Sequence, residues 1–167
     1  MRSFRWRTAA AALVANLPIV APVAHAAGTR HTAGAHGAWT DPVGACLAHV
    51  VSFDPATGAL TCTGTSDWTG TWAGSTTWTL TGRQDPVSGA ITGRIHEVFK
   101  GRARRVGRGT LTFVERVTID AAGTTDIRGR IVRGSAALAG SRGHAHWTGH
   151  SNADGSGSGA YSGRWRP

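Results

Sequence analysis

The sequence has 167 residues, 24 of which are glycine, and a formal net charge of +9 at pH 7. This length fits one domain and argues against a multidomain architecture. The positive charge favours contact with anionic surfaces, but a composition rich in arginine, glycine and alanine is typical of GC-rich coding, so it is weak evidence for nucleic-acid binding. No segment has an apolar stripe of helical spacing and useful length, which argues against a helix bundle.

The first 26 residues have the three parts of a secretory signal peptide. Three arginines by residue 7 make the start basic, and an apolar run rich in alanine and valine follows over residues 8–23. Ala24-His25-Ala26 is the small-x-small pattern after which signal peptidases cut. We therefore expect cleavage after Ala26 and a secreted, extracellular protein. No second apolar run follows, so no membrane span is expected.

Residues 27–44 have little periodicity and are expected to form a flexible N-terminal arm, with Trp39 docking at its end. Alternating segments then recur at intervals of roughly ten residues over 45–167, separated by turns rich in glycine and proline. The predicted strands are 48–53, 60–72, 75–82, 90–100, 110–120, 126–133, 144–150 and 160–166. This pattern predicts an all-β barrel or sandwich, and a closed barrel is favoured because it removes exposed sheet edges.

Both cysteines, Cys46 and Cys62, lie in the part of the chain expected to be exported. In an oxidising compartment two cysteines most simply form one disulfide, which would contribute roughly 3 kcal/mol through loop closure. A metal site would need more ligands than the neighbouring His49. The sequence therefore predicts a structural disulfide, no metal and no cofactor.

Three blocks resemble the allene oxide cyclase and dirigent family of barrels. They are Ile131-x-x-Gly134-Ser135-Ala136-x-Leu138-x-Gly140-Ser141-x-Gly143, Gly157-Ser158-Gly159-Ala160-Tyr161-Ser162-Gly163-Arg164-Trp165, and Gly109-Thr110-Leu111-Thr112-Phe113-x-Glu115. The resemblance covers roughly residues 61–167 and is closest to small exported bacterial members. It implies an eight-stranded antiparallel barrel, calycin-like in outline, whose plant relatives hold an apolar substrate in the lumen. No catalytic residue is carried over, because the family's catalytic constellations have no counterpart here.

Large aromatic residues lie on the faces of the predicted strands that we expect to point inward. In a barrel they would either fill the core or surround a bound apolar molecule. The residues assigned to ligand binding on this basis are Trp68, Trp72, Trp78, Phe99, Phe113, Trp147 and Trp165.

Two glutamates interrupt inward-facing apolar rows. Glu115 lies in the row of the strand 110–120, and Glu97 lies in that of the strand 90–100. A hairpin with Phe99 opposite Phe113 would place the two carboxyls face to face, raise one pKa and provide a lumenal acid/base pair. The alternatives are a structural polar network, or a bulge that turns one glutamate outward.

A basic loop is predicted over residues 101–109. It concentrates the candidate anion-binding residues Arg102, Arg104, Arg105 and Arg108, next to Lys100. The alternative is a hairpin tip kept soluble by its charge, and the loop has no aromatic side chain of the kind that stacks on nucleic-acid bases.

His144, His146 and His150 share one face of a predicted strand. Trp147 on the opposite face should point inward, so we expect solvent-facing histidines and treat a surface metal site as the alternative.

Three functions follow, in this order. The first is a monomeric or weakly dimeric secreted barrel that binds a small apolar molecule in its lumen. The second is a cyclase or isomerase that uses lumenal carboxylates, so the sequence leaves enzymatic activity undecided. The third is a cell-envelope protein whose basic face binds an anionic polymer. No specific nucleic acid is expected as a partner.

Overall fold

The computed structural model describes residues 32–41, 50–152, 154 and 156–167. They form nine strands and a one-turn 3-10 helix, Ala136–Leu138. The strands are β1 Ala33–Asp41, β2 Val50–Phe53, β3 Ala59–Gly70, β4 Trp72–Gln84, β5 Ile91–Ala103, β6 Gly107–Ile119, β7 Thr124–Gly134, β8 Arg142–Ser151 and β9 Gly157–Arg166.

Eight of these strands close into an antiparallel barrel. Neighbours pair in the order β1-β9-β8-β7-β6-β5-β4-β3, and β1 returns to pair with β3, for example through Trp39 opposite Trp68. Strand β2 is an extra strand beside the other half of β3, where Phe53 lies opposite Leu60. The prediction of an all-β, eight-stranded barrel is confirmed.

Strand β1 corrects the expectation of a flexible arm for residues 33–41; residues 27–31 and 42–44 of that predicted arm lie outside the described residues. Residues 33–41 pair along their whole length with β9, and four of them also pair with β3. The segment reads as an arm because alanine, glycine and histidine have low strand propensity. Packing against the neighbouring strands, and not strand propensity, holds this segment in the sheet. At residue 37 this packing requires glycine, because a side-chain Cβ would lie 2.5 Å from the Tyr161 hydroxyl. Because residue 37 is glycine, the tyrosine ring fits against the β1 backbone.

Strict alternation gives each strand one inward and one outward face. One half of the interior is filled by aromatic and aliphatic side chains that pack at ring-centroid distances of 5.2–5.9 Å. Trp72 and Tyr161 stack there with an interplanar angle of 10°. The Tyr161 hydroxyl accepts a hydrogen bond from the Trp72 backbone N–H at 2.8 Å and lies within donating distance of two backbone carbonyls, those of Thr69 and Trp72.

The two ends of the barrel differ in charge. At one end the turns after β2, β4, β6 and β8 each contain an aspartate whose carboxylate accepts nearby backbone N–H groups: Asp54, Asp85, Asp120 and Asp154. We call this the acidic end. At the other end lies the basic hairpin, residues 100–108, whose turn is only Arg104–Val106. The expected loop over 101–109 is therefore too long, because β5 continues to Ala103 and β6 begins at Gly107.

The predicted signal peptide, residues 1–26, lies outside the described residues. Within the described part of the chain, no helix has the length and apolar character needed to cross a membrane.

Candidate ligand-binding site

A cavity of about 70 Å³ lies inside the barrel between the aromatic half and the acidic end. Its walls are largely apolar, with Leu80, Ile95 and Val117 among them. Its lining also includes Asp41, Ile119, Thr125 and Ser151, which lie at or next to the ends of four different strands. The cavity therefore opens toward the acidic end, whereas the aromatic residues close the barrel on the other side.

Both glutamates predicted to be inward are inside the barrel and line this cavity. Glu115 is 2 % exposed and Glu97 is 6 % exposed. The proposed face-to-face register is wrong, because Glu97 lies opposite Phe113 and Ile95 lies opposite Glu115. The short turn at Arg104–Val106 shifts the hairpin by two residues, so the carboxyls are diagonal neighbours on the same face. Diagonal neighbours are within reach of long side chains, so the two carboxyls still interact.

Burial is the main cause of the raised pKa values of both glutamates. It raises the pKa of Glu97 to about 7; the neighbouring Thr76 hydroxyl and Glu115 carboxyl lower this value in part, and the charge of Asp41 raises it. Burial also raises the pKa of Glu115 well above its ordinary range, and the Glu97 carboxylate adds to this rise. At neutral pH Glu97 is therefore near its midpoint of titration, while burial and the Glu97 charge both favour the protonated form of Glu115.

Several buried polar atoms at the cavity have no hydrogen-bond partner among the described residues. They include the indole Nε1 atoms of Trp39, Trp68 and Trp147, and the carboxyl oxygens of Glu115 have no partner other than the neighbouring Glu97 carboxyl. Such atoms are uncommon in folded proteins, because an unpaired buried polar group costs about 1–3 kcal/mol. An adjoining polar pair, Trp78 Nε1 with Ser66 Oγ at 3.1 Å, is satisfied. The residues around the cavity thus include both indole donors and a carboxyl.

The seven aromatic residues predicted to bind a ligand divide into two groups. Trp68, Trp78 and Trp147 line the cavity. The other four are fully buried or nearly so in the aromatic half and do not line it: Trp72, Phe99, Phe113 and Trp165. Trp39 and Asp41 also line the cavity, but sequence reasoning missed them because it placed both in an arm. Their alternation with Ala35 and Gly37 on the inward face of β1 was the available signal.

The predicted anion-binding arginines lie at the end of the barrel away from the cavity mouth. Arg102 and Arg108 are opposite each other on the outer face of the basic hairpin. Arg104 and Arg105 are exposed in its turn, where Arg105 adopts a positive φ of 65°. The structure brings these four residues together, but not with the lumenal site.

The three histidines point outward, as the position of Trp147 indicated. His146 Nε2 lies 2.6 Å from Asp126 Oδ2, a contact that the sequence did not reveal. Among the described residues no group of three or more histidine, cysteine, aspartate or glutamate side chains could hold a metal ion. Cys62 is buried inside the barrel. Cys46 lies outside the described residues, so the disulfide stays a prediction.

Comparisons with known proteins agree with the fold. No family model matches the sequence, and no curated protein matches it. Among solved structures, the chain is similar to a pterocarpan synthase dirigent protein, with a TM-score of 0.55 and 13% sequence identity. The alignment covers 92% of this chain and 99% of that protein. At this identity the likeness shows a dirigent-like barrel fold, which confirms the resemblance seen in the sequence at the level of the fold.

Proposed function

We propose that this protein binds a small, neutral, mainly apolar molecule in the lumen, with the protonated carboxyl of Glu115 donating a hydrogen bond to the ligand. The observation that carries the proposal is a buried carboxyl that lines a largely apolar cavity and has no hydrogen-bond partner among the described residues other than Glu97. A neutral carboxylic acid held in an apolar site is a strong hydrogen-bond donor. Carbonyl and hydroxyl groups are the ligand groups that accept from such a donor.

The size of the cavity limits the ligand. Its volume is about 70 Å³, whereas drug-sized molecules occupy pockets of roughly 300–1,000 Å³. An engineered cavity that binds benzene has about 150 Å³. The cavity therefore fits a compact head group, and any larger apolar part of the ligand extends through the mouth at the acidic end.

Protein-observed NMR titration with small ketones tests the proposal. Acetone and cyclopentanone serve as probes, and cyclopentane serves as the apolar control without an acceptor. We expect the ketones to bind and to shift the indole N–H resonances of Trp39 and Trp147, which line the cavity. Glu115→Leu should weaken ketone binding about 10-fold or more by removing the donor, whereas Glu115→Gln keeps an N–H donor and should retain most of the affinity.

A matched control is Thr118→Val, which changes an exposed residue on the outer face of the same strand. It should leave binding unchanged. The proposal fails if no ketone binds to the wild type, or if Glu115→Leu binds ketones as well as the wild type does.

A second function, acid–base catalysis, is favoured by the different acidities of the two carboxyls. The pKa of Glu97 is about 7, which suits a base at neutral pH, and burial raises the pKa of Glu115 well above its ordinary value, which favours the protonated form that an acid needs. In an isomerisation, Glu97 would take a proton from the carbon between a carbonyl and a double bond. Glu115 would hold the carbonyl oxygen, and Glu97 would return the proton to the far end of the former double bond. No other reactant is needed.

Conversion of 3-cyclohexenone to 2-cyclohexenone, followed by ultraviolet absorbance, tests this second function. If the protein is such an isomerase, the variant Glu97→Gln should no longer accelerate this conversion but should still bind cyclopentanone. If the wild-type protein binds cyclopentanone but does not accelerate the conversion above the rate in buffer, it is a binding protein and not this isomerase.

A further inference from the structure

A cluster of five arginines and one histidine covers the outer face of strands β5 to β9, away from the basic hairpin turn. We call it the arginine face; its members are Arg94, Arg116, Arg128, Arg130, His144 and Arg164, and all six are exposed. They come from five different strands, so no single stretch of sequence reveals them. Only the register of the barrel brings them together.

The register places these side chains directly opposite one another in two rows. Arg94, Arg116 and Arg128 form one row across β5, β6 and β7. Arg130, His144 and Arg164 form the next row across β7, β8 and β9. Like charges directly opposite each other destabilise an antiparallel pair. The three arginines of the first row therefore work against the stability of the barrel, so stability does not explain their position.

Acidic partners on this face are few. Asp126 Oδ1 lies 3.2 Å from Arg128 Nε, and Asp126 Oδ2 contacts His146. These are the ion pairs present within the described part of the chain. The other four arginines of the face have no carboxylate partner there.

The surface between the side chains is grooved. One shallow groove is lined by Arg94, Arg116 and Arg130, and an adjoining one is lined by His144 and Arg164. Arg128 and Gly129 border both grooves, so the two are continuous. The grooves also touch the backbone at the inward-facing positions Gly129, Ala145 and Gly163.

We propose that the arginine face binds a linear anionic polysaccharide that carries carboxylate or sulfate groups along its length. Guanidinium groups bind such oxyanions through paired hydrogen bonds. Neighbouring strands are roughly 4.8 Å apart, so each row offers regularly spaced cations to an extended chain. The outward positions of these strands hold no phenylalanine, tyrosine or tryptophan, and this absence disfavours single-stranded nucleic acid, whose bases stack on such rings.

Binding of labelled polygalacturonate to the full chain at several salt concentrations tests the proposal. The variant Arg94→Ser/Arg116→Ser/Arg130→Ser removes half of the face. Its control, Arg102→Ser/Arg104→Ser/Arg105→Ser, removes the same charge from the basic hairpin. We expect the face variant to bind about 10-fold or more weakly and to lose much of the salt dependence, whereas the hairpin variant stays within about threefold of wild type.

Two-dimensional NMR of the wild-type protein gives an independent measurement that needs no variant. The backbone amides of Gly129 and Gly163, which line the grooves, should shift on titration with polygalacturonate, and those of Arg104–Val106 should not.

Equal loss of affinity in the two triple variants would overturn the proposal, because net charge alone would then explain binding. Shifts confined to the hairpin turn would also overturn it. A thymidine oligonucleotide could also displace polygalacturonate at a lower concentration of negative charge. We would then conclude that the face binds nucleic acid and not a polysaccharide.

Discussion

Replacement of Glu97 by glutamine should change how the stability of the barrel depends on pH. The pKa of Glu97 in the folded protein is about 7, above its ordinary value of 4.5. In this pH range the folded protein keeps a proton that the unfolded chain has lost, so unfolding releases a proton and stability falls as the pH rises. The contribution is fully present below pH 4.5 and is lost as the pH passes 7.

The size of this effect follows from the same pKa values. About 1.4 kcal/mol accompanies each tenfold change in proton affinity. The rise of the Glu97 pKa from 4.5 to about 7 therefore corresponds to about 3 kcal/mol lost between pH 4.5 and pH 8. Glu97→Gln cannot ionise, so it should match the wild type at pH 4.5 and be about 3 kcal/mol more stable at pH 8.

Urea unfolding at half-unit steps from pH 4.5 to pH 8 measures this difference. The turn aspartates have lowered pKa values and an ordinary value of 3.8, so they act below this range. Asp67→Asn, which removes an exposed outer-face carboxylate, controls for the change in net charge. Parallel curves for the wild type and Glu97→Gln, or a wild-type curve that is flat between pH 4.5 and pH 8, would refute the reasoning.

Three further predictions concern stability and covalent structure. Tyr161→Phe should lower the free energy of unfolding by about 1–3 kcal/mol, measured by urea unfolding, because it leaves the buried Trp72 N–H without its acceptor; an unchanged midpoint would contradict this. Arg116→Thr should raise the free energy of unfolding by about 0.5 kcal/mol, because an arginine lies directly opposite it on each side, and a loss of stability would argue against repulsion on this face. Alkylation of the unreduced secreted protein followed by mass spectrometry should find no reactive thiol if Cys46 and Cys62 are bonded, whereas two alkylated cysteines would rule the bond out.

Alternation along single strands predicted which side chains face the lumen. It placed Glu97, Glu115 and Trp147 inside and the histidines outside, because side-chain direction repeats every two residues and depends only on local pattern. The fold class followed from the same signal, since turns rich in glycine separate strands of similar length.

Relations between strands were harder to predict. The register of the β5–β6 hairpin depends on where the chain turns. Arg105 adopts a left-handed backbone conformation in that turn, and arginine has no preference for this conformation that the sequence could have revealed. Strand β1 is held by pairing with β9 and β3, which lie far away in sequence. Both the cavity walls and the arginine face depend on such distant pairings, so neither could be assembled from one stretch of residues.

The four turn aspartates give the acidic end of the barrel a negative charge that the buried carboxyls inside do not carry in mildly acidic solution. Hydrogen bonds from neighbouring N–H and hydroxyl groups hold the pKa of Asp54, Asp85, Asp120 and Asp154 below the usual range. The mouth therefore stays negatively charged in mildly acidic solution, where both buried glutamates are neutral. The acidic end thus carries negative charge under conditions in which the two buried carboxyls are uncharged. If a ligand enters from this end, we expect the four carboxylates to disfavour ionised organic acids relative to their protonated forms and to neutral carbonyl compounds.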